Sequence, residues 1–382
     1  MVGLFSLTSS LHTETAADAA VEPFINAIEE ALGERFVYFG SDFSTYGRHE
    51  ADIIYVRTGG TEGLFKALGL SGDVRLLTSG QSNSLAASME ILSYLRQCGR
   101  RGEILHGSAG YIAGRIRGGF PDAEDAAGYG FIQPLTPVDL GGVRLGVIGR
   151  PSDWLISSEV EPSRARTVLN AELVDIPMSE LLSRLPSSGV DMRSFEGSEA
   201  IYDALSDIVT DFGLGGLTLR CFDLLDTVHN TGCLALARLN AEGIPASCEG
   251  DVPALLSMAY LRQTRDCPGF QCNLSRIDGD ELLFAHCTVP LTMLTSWKYT
   301  THFESGIGTA IKGELPEADV EIFKISPDLE SCVRIPGKIL RNTSEQALCR
   351  TQVIVSAPGA ASYFLRSPLA NHHIICLKQS SL

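Results

Sequence analysis

Glu249 lies in the stretch PASCEGDVPALLSM (245–258), where a short strand turns into a helix, with Gly250 beside it. A charged side chain is out of place at such a corner if the corner only packs. Farther on, LLFAHCTVP (282–290) carries His286 and NHHIIC (371–376) carries His372 and His373, each in or at the end of an expected strand. A carboxylate with imidazoles is a ligand set for a divalent transition ion such as Mn²⁺, Fe²⁺, Co²⁺ or Zn²⁺. Side chains alternate along a strand, so Cys248 and Glu249 fall on opposite faces, as do His286 and Cys287. That disfavours a cysteine nucleophile paired with either neighbour. By the same rule only one of His372 and His373 can face a given site. Spacing alone leaves two readings open: a shared metal site, or separate residues with ordinary hydrogen bonds.

Other candidates sit where doubly wound sheets bind ligands, at strand ends. The loops RTGGTEG (57–63) and TSGQSNS (78–84) are two such places, the second offering Gln81 and Asn83 as ligand contacts. The bland alternative for both is tight turns and helix caps. In PSDWL (151–155), Trp154 could stack on a sugar face with Asp153 on its hydroxyls, or the pair could be a core Trp and a turn Asp. GVIGRPSDW has G-x-x-G but not G-x-G-x-x-G, and no G-x-x-x-x-G-K-[ST] occurs. Dinucleotide and P-loop chemistry are therefore disfavoured.

The elements that must position these residues are an alternation of strands and helices. RFVYFG, ADIIYVRTGG, DVRLLTSG and GEILHG read as strands ending near Gly, with SLAASMEILSYLRQCG helical between two of them. Gly, Pro and Ala dominate 118–142, which reads as a crossover or boundary. A second α/β series follows, ending in PASCEG and the helix DVPALLSMAYLRQT, which Asp251 can cap and whose first turn tolerates Pro253. After residue 265 short strands prevail, with a hairpin turning at DGD (278–280) and few helical signals. The fold class is thus α/β: two doubly wound parallel-sheet domains followed by a β-barrel-like C-terminal domain, with boundaries at 1–140, 141–265 and 266–382.

A chain of 382 residues suits two or three such domains. Its 46 acidic against 30 basic residues give a formal net charge of −16. That surface repels nucleic acid and anionic lipid, and neither is expected as a partner. No apolar run reaches the roughly 18 residues of a membrane span, and the N-terminus reads as a first strand rather than an export signal. The ten cysteines form no C-x-x-C pair. Reduced thiols in a cytoplasmic protein are the expectation.

Together RLGVIGRPSDWLISS, SCEGDVPALLSM, LLFAHCTVP and NHHIIC resemble the L-fucose isomerase and L-arabinose isomerase superfamily, closest to its shorter fucose isomerase-like members. The resemblance covers roughly residues 140–382, with a looser fit before it. It implies homo-oligomers with pockets shared between subunits, a small sugar as substrate, and Mn²⁺ held by two acidic residues and a histidine. It further implies that acidic side chains move a proton between C1 and C2 through an ene-diol. Carried over, Glu249 matches the first acidic ligand and base, and His286 with one of His372 and His373 match the histidines. The second acid should fall before the AHC strand, in GFQCNLSRID, where the best-placed residue is Asn273. An amide cannot act as a base and is a weaker ligand for a hard cation. Asp278 and Asp280 lie close by but belong to the hairpin turn. Three functions follow: an aldose–ketose isomerase on a free sugar, another lyase or isomerase working through an enolate with one base, or a carbohydrate-binding relative without chemistry.

Overall fold

The computed structural model describes residues 1–9, 14–120 and 130–378, and the backbone only over 14–22. Apolar runs closed by Gly-rich loops form the first sheet: β1 (Val2–Leu7), β2 (Val37–Gly40), β3 (Ala51–Val56), β4 (Val74–Thr78) and β5 (Gly102–Leu105). All five are parallel, in the order β2-β1-β3-β4-β5. The helices between them are α1 (Glu14–Leu32), α2 (Glu62–Ala67), α3 (Ser84–Gln97) and α4 (Ala109–Arg117). Part of the 118–142 crossover, residues 121–129, lies outside the described residues. The rest holds a strand that sequence reading missed, β6 (Ile132–Pro134), which pairs far down the chain with Ser331–Val333.

The second sheet contains β7 (Val143–Ile148), β8 (Ala171–Ile176), β9 (Gly216–Leu219) and β10 (Ala246–Cys248), parallel and ordered β10-β9-β7-β8. Around it run α5 (Pro162–Leu169), α6 (Met178–Arg184), α7 (Phe195–Phe212), α8 (Asp223–Thr227) and α9 (Cys233–Ala241). Next comes α10 (Val252–Arg265), capped by Asp251, whose Oδ1 accepts from the Ala254 amide at 2.7 Å, with Pro253 in its first turn.

The remainder starts with the hairpin β11 (Phe270–Asp278) and β12 (Glu281–His286), turning at Gly279 with φ 59°. A two-stranded hairpin follows, β13 (Ser296–Thr300) and β14 (Ala310–Glu314), and then β15 (Asp319–Ile325), β16 (Ser331–Thr343), β17 (Thr351–Ser356) and β18 (His373–Leu377). Strands run β15-β18-β11-β12-β17-β16, and β16 pairs back onto β15, which closes a six-stranded antiparallel barrel. One helix, α11 (Ala360–Arg366), interrupts this β-rich region.

Two helices join the three sheets, and their sequences say why. α3 is buried at eleven of its positions, because it lies between the first sheet and the barrel. Ile91 and Leu92 share one core with Leu76 of β4 and with Leu274 and Phe284 of the barrel. A helix packed on two sides is covered nearly all round, and here the cover extends over Ser84, Ser88, Glu90 and Ser93 as well as the apolar positions. α10 does the same for the second sheet: Leu255 and Leu256 pack with Leu145, Phe323 and Ile374. The parallel strands therefore end against the barrel wall.

His106, just past β5, pins that contact. Its Nε2 accepts from the Ile277 amide of β11 at 3.1 Å, so Nδ1 carries the proton and donates to Thr78 Oγ1 at 2.6 Å. Burial pushes its pKa down from 6.5 to about 4. Between those values the unfolded chain binds the extra proton and the folded one does not, so stability rises with pH there. The contribution is complete above pH 6.5 and is lost as pH falls through about 4. Its size is on the order of 3 kcal/mol. Urea midpoints at pH 7 and pH 4.5 should differ more for the wild type than for His106→Gln, and equal differences would dismiss His106 as the acid-sensitive group.

One expectation is corrected. Cys267 and Cys376 form a disulfide spanning 109 residues rather than staying reduced. Antiparallel pairing of Phe270 with Ile375 brings their strands together, which residue spacing could not reveal. Eight cysteines are free, seven of them buried. No helix among the described residues is long and apolar enough to cross a membrane.

Candidate functional site

In a doubly wound sheet, the crevice opens where neighbouring strands send their connections in opposite directions. Here those points are β1/β3 in the first sheet and β7/β9 in the second. Both open onto one cavity of about 430 Å³. Ser9, Gly59 and Gly60 line it from the first sheet, Trp154, Arg220 and Glu249 from the second, and Asn273, Glu304 and Asn371 from the barrel side.

Glu249 follows β10 directly and adopts φ 65°, the left-handed region that non-glycine residues rarely occupy. Such backbone strain persists where surrounding structure over-determines it. Gly250 continues the turn at φ 69°, and a Cβ there would lie 2.5 Å from the Arg150 carbonyl oxygen. Close approach of the 150–152 loop thus requires glycine and brings Trp154 onto Glu249. The indole Nε1 donates to Glu249 Oε2 at 2.6 Å, and the ring meets Phe222 edge-on at 4.8 Å.

Glu249 Oε1 faces two imidazoles, His372 Nε2 at 3.5 Å and His286 Nε2 at 3.9 Å. One ligand atom from each of the three residues lies within 4.8 Å of the others, so among the described residues this group could hold a metal ion. Both rings are held from behind. His372 Nδ1 donates to Asp251 Oδ2 at 2.9 Å, and His286 Nδ1 bonds Thr288 Oγ1 at 2.8 Å. Metal-binding histidines are oriented by such outer contacts. His372 Nε2 is buried with no hydrogen-bond partner, an orphaned atom that a divalent ion would satisfy. The residues therefore fit a divalent ion. Burial opposes charge on both Glu249 and His372, yet their mutual attraction outweighs it. The carboxyl is held far below its ordinary range and the imidazole is pushed up to about 10.

Behind the histidines lies a fully buried cation, Lys324 of β15. Its Nζ donates to the His372 carbonyl at 2.7 Å and sits 3.9 Å from Asp251 Oδ2. Glu90 of α3, also fully buried, accepts from the amides of Ser157 and Asn371 at 2.7 and 2.9 Å. It ties the 150s loop and the NHH segment to the first sheet.

Several sequence-based assignments need revision. His373 does not join the site: Nδ1 donates to the Asn371 carbonyl at 2.7 Å and Nε2 takes a hydrogen bond from Tyr363 at 2.8 Å. Strand alternation turns it into the barrel core, against Phe364. Gln81 is exposed and off the cavity wall, whereas Asn83 lies on it. Asp153 also stays off the wall. Its carboxylate is 70% exposed and pairs with Arg220 at 2.9 Å. Asn273 reaches the cavity, where its Oδ1 is buried without a partner. Asp278 and Asp280 remain in the hairpin turn, where Asp280 Oδ1 caps the Gly359 amide at 3.0 Å.

Sequence reading missed Arg220, Lys324, Glu62 and Glu304. Arg220 gives no local signal, yet it clamps the Pro151 carbonyl at 2.6 Å and both Asp153 and Asp223. Glu62 and Glu304 also line the cavity. Burial pushes the Glu62 carboxyl well above its ordinary range, and burial with the charge of Glu249 pushes Glu304 up to about 7. THFESGIG, the segment carrying Glu304, offers only its glycines as a hint of close approach.

No protein-family model matches the chain. It is similar to a sulfoquinovose isomerase from Clostridium sp. (strain MSTE9), with 28% identity over 172 residues, 42% of this chain. The match spans 38% of that protein's length.

Proposed function

We propose that the protein is a metal-dependent aldose–ketose isomerase acting on a free sugar, with Mn²⁺ as its first-choice ion. The observation that carries this reading is the convergence of Glu249, His286 and His372 at one end of a shared cavity. Similarity to a sugar isomerase supports the reaction class. Acceptors on the cavity-lining residues support a polyol: Glu62 Oε2 and the amide oxygens of Asn83, Asn273 and Asn371 are buried without hydrogen-bond donors. Sugar hydroxyls supply donors.

Under this reading Glu249, His286 and His372 hold the ion, Trp154 fixes the carboxylate and Asp251 fixes the His372 ring. When bound, the ion supplies electrostatic stabilisation to adjacent sugar oxygens. The cavity carboxylates shift protons between C1, C2 and their oxygens through an ene-diol. Homo-oligomers remain part of the proposal, supported by Trp297 and Tyr299, which stand 49% and 46% exposed on β13, the outer strand of the β13–β14 hairpin.

Purified protein with Mn²⁺ should interconvert a free aldose and its ketose, lose that activity to a chelator and regain it with Mn²⁺. Conversion that ignores the chelator would contradict metal dependence. Asn273 favours a second reading, an enolate chemistry that needs one base. Proton exchange beside the carbonyl without ketose formation would select that one.

A further inference from the structure

We propose that Glu304 is the catalytic base that carries the proton between C2 and C1, in place of the acid missing at Asn273. This role rests on the isomerase reading. Glu249 is poorly placed for it, since Oε2 is bonded to Trp154 and Oε1 faces both imidazoles. Asn273 has no titratable oxygen. Among the described residues the cavity wall also carries Asp223, paired with Arg220 at 2.9 Å, the exposed Asp226, and the glutamates Glu62 and Glu304. Glu62 is only 2% exposed, and its burial favours the neutral acid, which cannot accept a proton.

Glu304 is half-buried, and Asn83 Nδ2 donates to its Oε1 at 2.8 Å. Oε2 has no partner among the described residues. The loop that presents it is braced on several sides. Arg350 donates to the Thr301 carbonyl at 2.8 Å, and the Gly306 amide bonds the His302 carbonyl at 3.0 Å. Gly308 sits at φ 65°, where a Cβ would fall 2.5 Å from Thr231 Oγ1. Fixed placement is what a proton-transfer group needs. Burial raises its carboxyl toward the range in which a general base is most effective.

In the forward direction Glu304 accepts the C2 proton. The C2–H electron pair becomes the C1=C2 bond, and the carbonyl pair moves onto O1, which takes up a proton. Glu304 then returns its proton to C1, O2 loses its proton, and the new carbonyl forms at C2. Atoms and electrons balance with no oxidant or reductant.

The test uses the full chain loaded with Mn²⁺ and a panel of free aldoses in D₂O, with NMR reading deuterium at C1 and C2 and ketose formation. Glu304→Gln should slow exchange by about 10²–10⁴-fold, while Mn²⁺ content and thermal midpoint match the wild type. Added formate should restore part of the exchange to Glu304→Ala. Wild-type rates in Glu304→Gln, or loss of Mn²⁺ from it, would overturn the role while leaving the isomerase reading intact. A wild-type chain that binds Mn²⁺ but exchanges with none of the sugars would overturn the isomerase reading and the role with it.

Discussion

Lys324→Met should destabilise the protein by about 3–5 kcal/mol, the usual cost of removing one partner of a buried charge pair. The side chain is fully buried, and its ammonium neutralises a region holding Asp251 and, through α3, Glu90. Methionine has similar length and little shape penalty, so the loss reports charge rather than volume. It leaves the Asp251 carboxylate with only His372 and the Ala254 amide as partners and the His372 carbonyl without its donor. Urea denaturation read by two probes gives the value. Lys324→Met combined with Asp251→Asn should lose less than the two single changes summed, because each removes the other's partner. A cost below about 1 kcal/mol, the scale of an exposed pair, would show that Lys324 does not hold the histidine segment.

Glu249→Gln should have the largest effect on chemistry. The change keeps shape but removes the one anion that faces both imidazoles. Loss of an outer-shell partner alone typically costs about 10–100-fold in metal affinity, and Glu249 would be a direct ligand, so a larger loss is expected. Glutamine can also turn its amide NH₂ toward Trp154 Nε1, setting donor against donor where the carboxylate accepts at 2.6 Å. Sugar turnover at saturating Mn²⁺ and at limiting Mn²⁺ should both fall, the second more steeply. Equal turnover in wild type and variant would remove Glu249 from the mechanism.

Much of the architecture was legible because it rests on local patterns. Strand tips ending near Gly and short apolar runs such as Ile53–Val56 marked parallel strands between helices. The DGD turn marked the β11–β12 hairpin. Strand alternation also explained why His372 and His373 could not share a site. What escaped was tertiary. β6 pairs with a strand almost two hundred residues away, and no local signal announces that. Lys324 looks like the solvent-facing position of an ordinary strand. It is buried because it faces the barrel interior on the same side as Val320 and Ile322, while α10 covers the opposite face of β15 at Phe323 and Ile325. Glu304 and Arg220 lie on loops without a period, and the cavity that unites them with Glu249 exists only once two sheets and a barrel meet. Asp251 was legible as a helix cap, which it is, but one oxygen caps and the other holds His372.

Metal analysis of the purified chain after Mn²⁺ loading and gel filtration tests the central claim most directly. One divalent ion per chain in the wild type, and its loss from Glu249→Gln and His372→Ala with the fold intact, is the predicted result. No ion in the wild type, or equal ion content in all three proteins, would contradict a centre built from Glu249, His286 and His372.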